Sequence, residues 1–178
     1  NDDIFAIFPL LHAGYPTSDD VIQKTVLFIL SKQLPDGSWE NSVDLTSAAV
    51  QALSLAGQLP DTSNAITSAM DFVHRKLGAD GGLGNSFSTS WGLQAIAAVS
   101  SSHLNWANGY FTPRYYLATL QQRDGGLEPA NTASETRLWA TAYAIPAIQG
   151  KTWDSLLSTF PRPMPKQTTE QAAATAQA

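Results

Sequence analysis

Hydrophobic positions along the first 160 residues recur at helical spacing, and the helices they outline are of two kinds. In the first kind a single apolar stripe runs along a polar segment. Ile22, Val26, Ile29 and Leu30 fall at i, i+4, i+7 and i+8, and Ile66, Met70, Val73 and Leu77 at i, i+4, i+7 and i+11. Ser18 and the pair Asp61 and Thr62 stand where the N-caps of these two helices belong, and Pro113 stands where a third would start. The second kind is rich in Ala and Ser, as in Thr46 to Leu53 and Thr89 to Ile96. Small side chains let backbones approach closely, so these segments predict a crowded inner set with the striped helices outside. Asp3 to Leu10 fits as a further inner helix, because Asp3, Thr46 and Thr89 are spaced by 43 residues, as are Leu10, Leu53 and Ile96. A last inner helix, Thr141 to Ile148, arrives about two turns late. Gly14 and Gly57 are placed to end their helices, and Pro9 and Pro146 predict a kink or an early stop.

A recurring corner joins each outer helix to the inner one that follows. The three copies are Gln33-Leu-Pro-Asp-Gly-Ser-Trp39, Leu77-Gly-Ala-Asp-Gly-Gly-Leu83 and Gln121-Gln-Arg-Asp-Gly-Gly-Leu127, with Asp36, Asp80 and Asp124 each 44 residues apart. Phe28, Phe72 and Tyr116 keep the same register. Gly37, Gly81 and Gly125 permit positive φ in a tight turn. Asp36 can accept N–H groups within the turn, and Gln33 can reach the last carbonyls of the helix before it. Trp39 can cover the turn with a large apolar face. The corner therefore reads as a clamp between repeats. Beyond Phe160 the pattern stops: residues 161–165 are proline-rich and 166–178 are rich in Thr, Gln and Ala, a tail or linker after a domain spanning 1–160.

The run Gln33-x-x-Asp36-Gly-Ser-Trp39 resembles the QW motif of terpene cyclases. The Asp-Gly-Gly-Leu turns at Asp80 and Asp124, each followed by a small-residue helix, are similar to the repeats of protein prenyltransferase β subunits. The resemblance covers roughly residues 1–160. It implies an all-α fold, an α/α toroid of about four inner–outer helix pairs, with any cavity opening where the inner helices begin. The run from Trp139 to Pro146 looks most like uncharacterised exported bacterial members, which implies an extracytoplasmic or cell-surface location. Such toroids usually hold more repeats, so an incomplete ring is expected, either a fragment of a longer protein with further repeats upstream of Asn1 or an open arc closed by a partner.

Charge and composition narrow the chemistry. A net charge of −5 with no basic run offers nothing to a phosphate backbone, so no nucleic-acid partner is expected. The absence of cysteine excludes disulfides, thiolate-bound zinc and the internal thioester of complement-like members. His12, His74 and His103 fall in different parts of different repeats, so no metal site is expected and the prenyltransferase zinc chemistry is rejected. Uninterrupted apolar runs, such as Val26 to Leu30, are far too short to span a bilayer.

Two site hypotheses remain. Asn1-Asp2-Asp3 sits at the start of an inner helix and resembles part of the Asp-x-Asp-Asp acid motif of class II, squalene-hopene-type cyclases. There Asp2 would be the general acid, kept protonated by burial and by Asp3 beside it. The first Asp of that motif lies outside the sequence, and helix capping explains the same pair. Alternatively, Thr46, Thr89, Trp91, Trp139 and Thr141 would gather at the mouth of an inner-helix barrel and take a small apolar ligand or a protein partner. The competing role for Trp91 and Trp139 is to fill the core. The resulting expectation is a non-catalytic binding module without cofactor, of an exported or surface bacterial protein. The alternatives are a cyclase fragment and a cobalamin-carrier-like domain, although such carriers use a second β domain.

Overall fold

The computed structural model describes residues 2–56, 59–100 and 105–159. It is all-α, with no strand among the described residues. The helices are α1 (Asp2–His12), α2 (Asp20–Ser31), α3 (Val43–Ala56), α4 (Thr62–Arg75), α5 (Ser86–Ala98), α6 (Pro113–Leu120) and α7 (Ser134–Ile148), followed by a 3-10 turn over Asp154–Leu156. The odd-numbered helices pack side by side in the order α1, α3, α5, α7. Against them lie α2 on α1 and α3, α4 on α3 and α5, and α6 on α5. The two kinds of helix form two layers for a simple reason. Ala48, Ala49, Ala52 and Ala95 are fully buried and let the inner helices close on their neighbours. On α2 the expected stripe is the buried one, through Ile22, Val26 and Ile29. On α4 the buried line is instead Ala65, Ala69, Phe72 and Val73, and Ile66, Met70 and Leu77 of the expected stripe are only half-buried.

Several local expectations are corrected. An eighth helix, the outer partner of α7, does not form among the described residues; the chain turns into the 3-10 segment instead. Asp19, not Ser18, caps α2, because the turn closed by its N–H on the Pro16 carbonyl brings its carboxylate onto the Val21 N–H. Asp61 holds the N-cap place of α4 at φ 69°, a left-handed conformation in which its side chain makes no cap bond. Thr112 caps α6, and Pro113 opens it as expected. Pro9 and Pro146 lie inside α1 and α7, and both helices end within three residues of the proline. Gly14 takes positive φ after α1. Gly57, His103 and the tail 161–178 lie outside the described residues.

The three corners are built alike. In each, the glycine N–H closes a turn onto the carbonyl three residues earlier: Gly37 on Leu34, Gly81 on Gly78, Gly125 on Gln122. The aspartate accepts the N–H two residues on, from Ser38, Gly82 and Gly126 respectively. The next N–H, of Trp39, Leu83 or Leu127, donates to a threonine hydroxyl of the following inner helix: Thr46 at 3.0 Å, Thr89 at 2.9 Å and Thr141 at 2.9 Å. The residue after that is left-handed in every copy, Glu40 at φ 53°, Gly84 at 110° and Glu128 at 68°. Gln33 does not reach back to its own helix. The Trp39 indole takes that role, donating to the Ile29 carbonyl at 2.8 Å, while the Gln33 amide bridges the Gly37 and Ala65 carbonyls. Gln121 keeps only the local half of this contact, to the Gly125 carbonyl at 3.2 Å.

Candidate functional site

The inner helices show the outer layer one face and carry aromatic and polar side chains on another. Helical spacing places Phe87 and Trp91 together on α5, Trp139 and Tyr143 on α7, and Asp44 and Gln51 on α3. The ring centroids form a connected cluster: Trp91 lies 5.8 Å from Tyr143 and 5.9 Å from Phe5 of α1, Phe87 lies 5.9 Å from Tyr143, and Trp139 lies 6.0 Å from Tyr143. These separations suit edge-on and offset packing of ring quadrupoles.

The chain beyond α7 returns across this face. Trp153 stacks on Tyr143 at 6.1 Å and lies tilted against Trp91 at 5.5 Å. Its backbone N–H donates to Gln51 Oε1 at 2.8 Å, and Asp154 meets His12 Nε2 of α1 at 2.8 Å. One short strap thereby touches all four inner helices.

Above the strap, at the N-terminal ends of α3, α5 and α7, the face stays open. A hollow of about 560 Å³ is lined by Phe87, Trp91, Trp139 and Tyr143 together with Asp44, Glu135 and Thr136. Asp44, Phe87 and Glu135 are each the second residue of their helix, so three first turns converge there. Ser88 donates its hydroxyl hydrogen to Asp44 and thereby orients that carboxylate. Trp91 is almost covered, at 7% exposure, whereas Trp139 remains 51% exposed beside the hollow. The arrangement can stack on a flat or rounded apolar body and present negative charge at the rim.

Of the residues singled out in the sequence, Trp91 and Trp139 meet in this hollow. Thr46, Thr89 and Thr141 do not line it. Their hydroxyls accept the corner N–H groups, and Thr89 and Thr141 also donate to the carbonyls of Asn85 and Arg137. Asp3 lines a different hollow of about 320 Å³ together with Phe28, Lys32 and Trp39. Asp2 is exposed in the first turn of α1 and lines neither hollow. His12 is taken by Asp154, and His74 packs edge-on against Trp106 at 5.0 Å.

Sequence reasoning missed Phe87, Tyr143, Asp44, Glu135 and Trp153. A signal was present for two of them. The late arrival of the last inner helix shifts its register to 52 residues, as Thr89 to Thr141 shows, and the same step carries Phe87 to Trp139 and Trp91 to Tyr143.

The electrostatics of the corners are separate from the hollow. The Ser38 hydroxyl and N–H, followed by the Arg75 charge, hold the Asp36 carboxyl below the usual carboxylate range. The Arg137 guanidinium, with the Gly126 N–H, does the same for Asp124. Both shifts belong to architecture. No described helix is long and apolar enough to cross a membrane. In comparisons with known proteins, the chain matches no protein-family model and no curated protein.

Proposed function

We propose that this chain is a non-catalytic α/α-toroid module of an exported or cell-surface bacterial protein, and that it binds a small ligand in the aromatic hollow at the start of α3, α5 and α7. The toroid part of the reading rests on the three corners in register and on their resemblance to the cyclase and prenyltransferase repeats. The binding part rests on one observation: Trp139 stands half-exposed beside Tyr143, and the two rings line an open hollow of about 560 Å³ together with Phe87 and Trp91. A large aromatic left in water forgoes roughly 2–3 kcal/mol of burial, and here the exposed ring borders a hollow lined by three others.

The motif threonines favour a non-catalytic reading, because their hydroxyls are committed to holding the corners. Asp2 and Asp3 lie away from the aromatic hollow, so nothing in the geometry sets a general acid over a bound alkene there.

The test is a fragment screen followed by the indole N–H resonances of the tryptophans. Bound fragments are expected to move the Trp91 and Trp139 signals and to leave Trp39 and Trp106, buried elsewhere, in place. A diverse library that never perturbs Trp91 or Trp139 selectively sinks the proposal.

A further inference from the structure

We infer that the ligand of this hollow is a small alkylammonium cation, held over the Trp139 and Tyr143 rings and paired with the carboxylates of Glu135 and Asp44. The inference rests on the binding role proposed above and names its ligand class.

Four rings line the hollow, and the negative potential of an aromatic face attracts a weakly hydrated organic cation more strongly than a neutral body of the same shape. Tryptophan is the best of these faces, and two of the four rings are tryptophans. The polar part of the lining points the same way. Asp44, Glu135 and Thr136 contribute its polar groups, and none of the lining residues is Lys, Arg or His. Glu135 has no ion-pair partner among the described residues.

A competing tendency has to be weighed. Three helix N-termini converge at the mouth, and such ends favour anions. Here that tendency is already met from within. Asn85 caps α5 through the Ser88 N–H, Ser42 accepts the Leu45 N–H of α3, and the first turns of α3 and α7 carry Asp44 and Glu135. An incoming anion would meet those two carboxylates before any backbone N–H. The carboxylates alone would signify only helix capping; the four rings that line the same hollow are what favour a cation there. The overall charge of −5 adds a weak long-range attraction of the same sign.

The experiment compares choline with its uncharged isostere 3,3-dimethylbutan-1-ol, titrated into the full chain at constant ionic strength while the indole N–H resonances are followed. Choline is expected to shift the Trp139 and Trp91 signals saturably, and the alcohol to bind at least about tenfold more weakly. Trp139→Ala and Glu135→Gln alter exposed side chains, so both are expected to keep the melting temperature. Each should weaken choline by roughly three- to tenfold. If the alcohol binds as tightly as choline, the hollow selects shape without charge; this inference falls and the binding role stands. If choline leaves both signals unmoved while an uncharged fragment moves them, the result is the same. If choline binds equally well to both variants, it sits elsewhere and the inference is overturned.

Discussion

The Asp36 and Asp124 corners share their sequence pattern and their internal hydrogen bonds, yet they stand in different surroundings. At Gly37, a Cβ would lie 2.2 Å from the backbone oxygen of Ser68, because α4 closes directly onto the turn. Gly81 is enclosed in the same way by the start of α6, with the Thr112 oxygen at 2.6 Å. At Gly125 nothing lies within 4 Å. The partners differ as well. Asp36 offers its backbone carbonyl to Arg75 of the next outer helix, at 2.7 Å. Asp124 instead binds the guanidinium of Arg137 from the next inner helix, at 2.8 and 2.9 Å to its two oxygens. Trp39 is buried at 3% exposure and reaches across to Ile29, whereas Leu127 fills the same place with a smaller side chain. A repeated motif therefore specifies a local turn, and the following repeat decides how much energy depends on it.

Four substitutions test that contrast, from the largest effect down. Trp39→Ala should destabilise by about 3–5 kcal/mol, since it empties a core site and removes one of the two donors to the Ile29 carbonyl. Leu127→Ala, at the equivalent place, should cost about 2–4 kcal/mol. Chemical denaturation of both variants measures the difference, and equal losses would remove the distinction between the corners. Next, Gly37→Ala combines a left-handed φ of 89° with a backbone collision and should cost about 2–4 kcal/mol. Gly125→Ala meets only the conformational penalty, about 1 kcal/mol. Matching melting-temperature shifts for this pair would show that α4 does not press on the first turn.

The third test is electrostatic. Both aspartates have folded-state pKa values below the unfolded one, so their contribution to stability is fully present above the ordinary carboxylate value. It is lost as pH falls below about 4 and through the lowered folded value. Arg137→Ala should move the Asp124 titration up toward the ordinary value and leave Asp36 untouched. Ser38→Ala should do the reverse. Carboxyl carbon NMR resolves the two, and a shift of both by either variant would contradict the separate partners. The smallest effect is expected at Glu128. Its left-handed φ of 68° matches the place where the second corner has Gly84. Glu128→Gly relieves roughly 1 kcal/mol of backbone strain but adds roughly 0.5–1 kcal/mol of unfolded-state freedom. The net gain should not exceed about 0.5 kcal/mol, and a clear loss in thermal denaturation would mean that the Glu128 side chain makes a contact worth more than the strain.

The aromatic hollow was only partly legible. Trp91 and Trp139 stood out as large rings at the start of inner helices. Thr46, Thr89 and Thr141 occupy the same helices and were grouped with them, because position along a helix says nothing about which side a residue faces once three neighbours compete for it. Phe28, Phe72 and Tyr116 teach the same lesson. They share one register, but Phe28 is exposed with Lys32 over its ring, Phe72 is buried, and Tyr116 covers Gly82. Trp153 carried no periodic signal at all, since it belongs to a strap that is not part of any repeat.

From the chain alone came the helical spacing, the division into small-residue and striped helices, and the three Asp-Gly corners. These depend on contacts within a few residues, on backbone freedom at glycine and on the alternation of polar and apolar side chains, all of which are written in order along the polymer. Tertiary structure decided which glycine is enclosed, which arginine meets which aspartate, and that four rings and two carboxylates share one hollow. Such long-range pairings join residues as far as 142 positions apart, as His12 and Asp154 are. They follow from how finished helices compete for the same space, which no local pattern encodes.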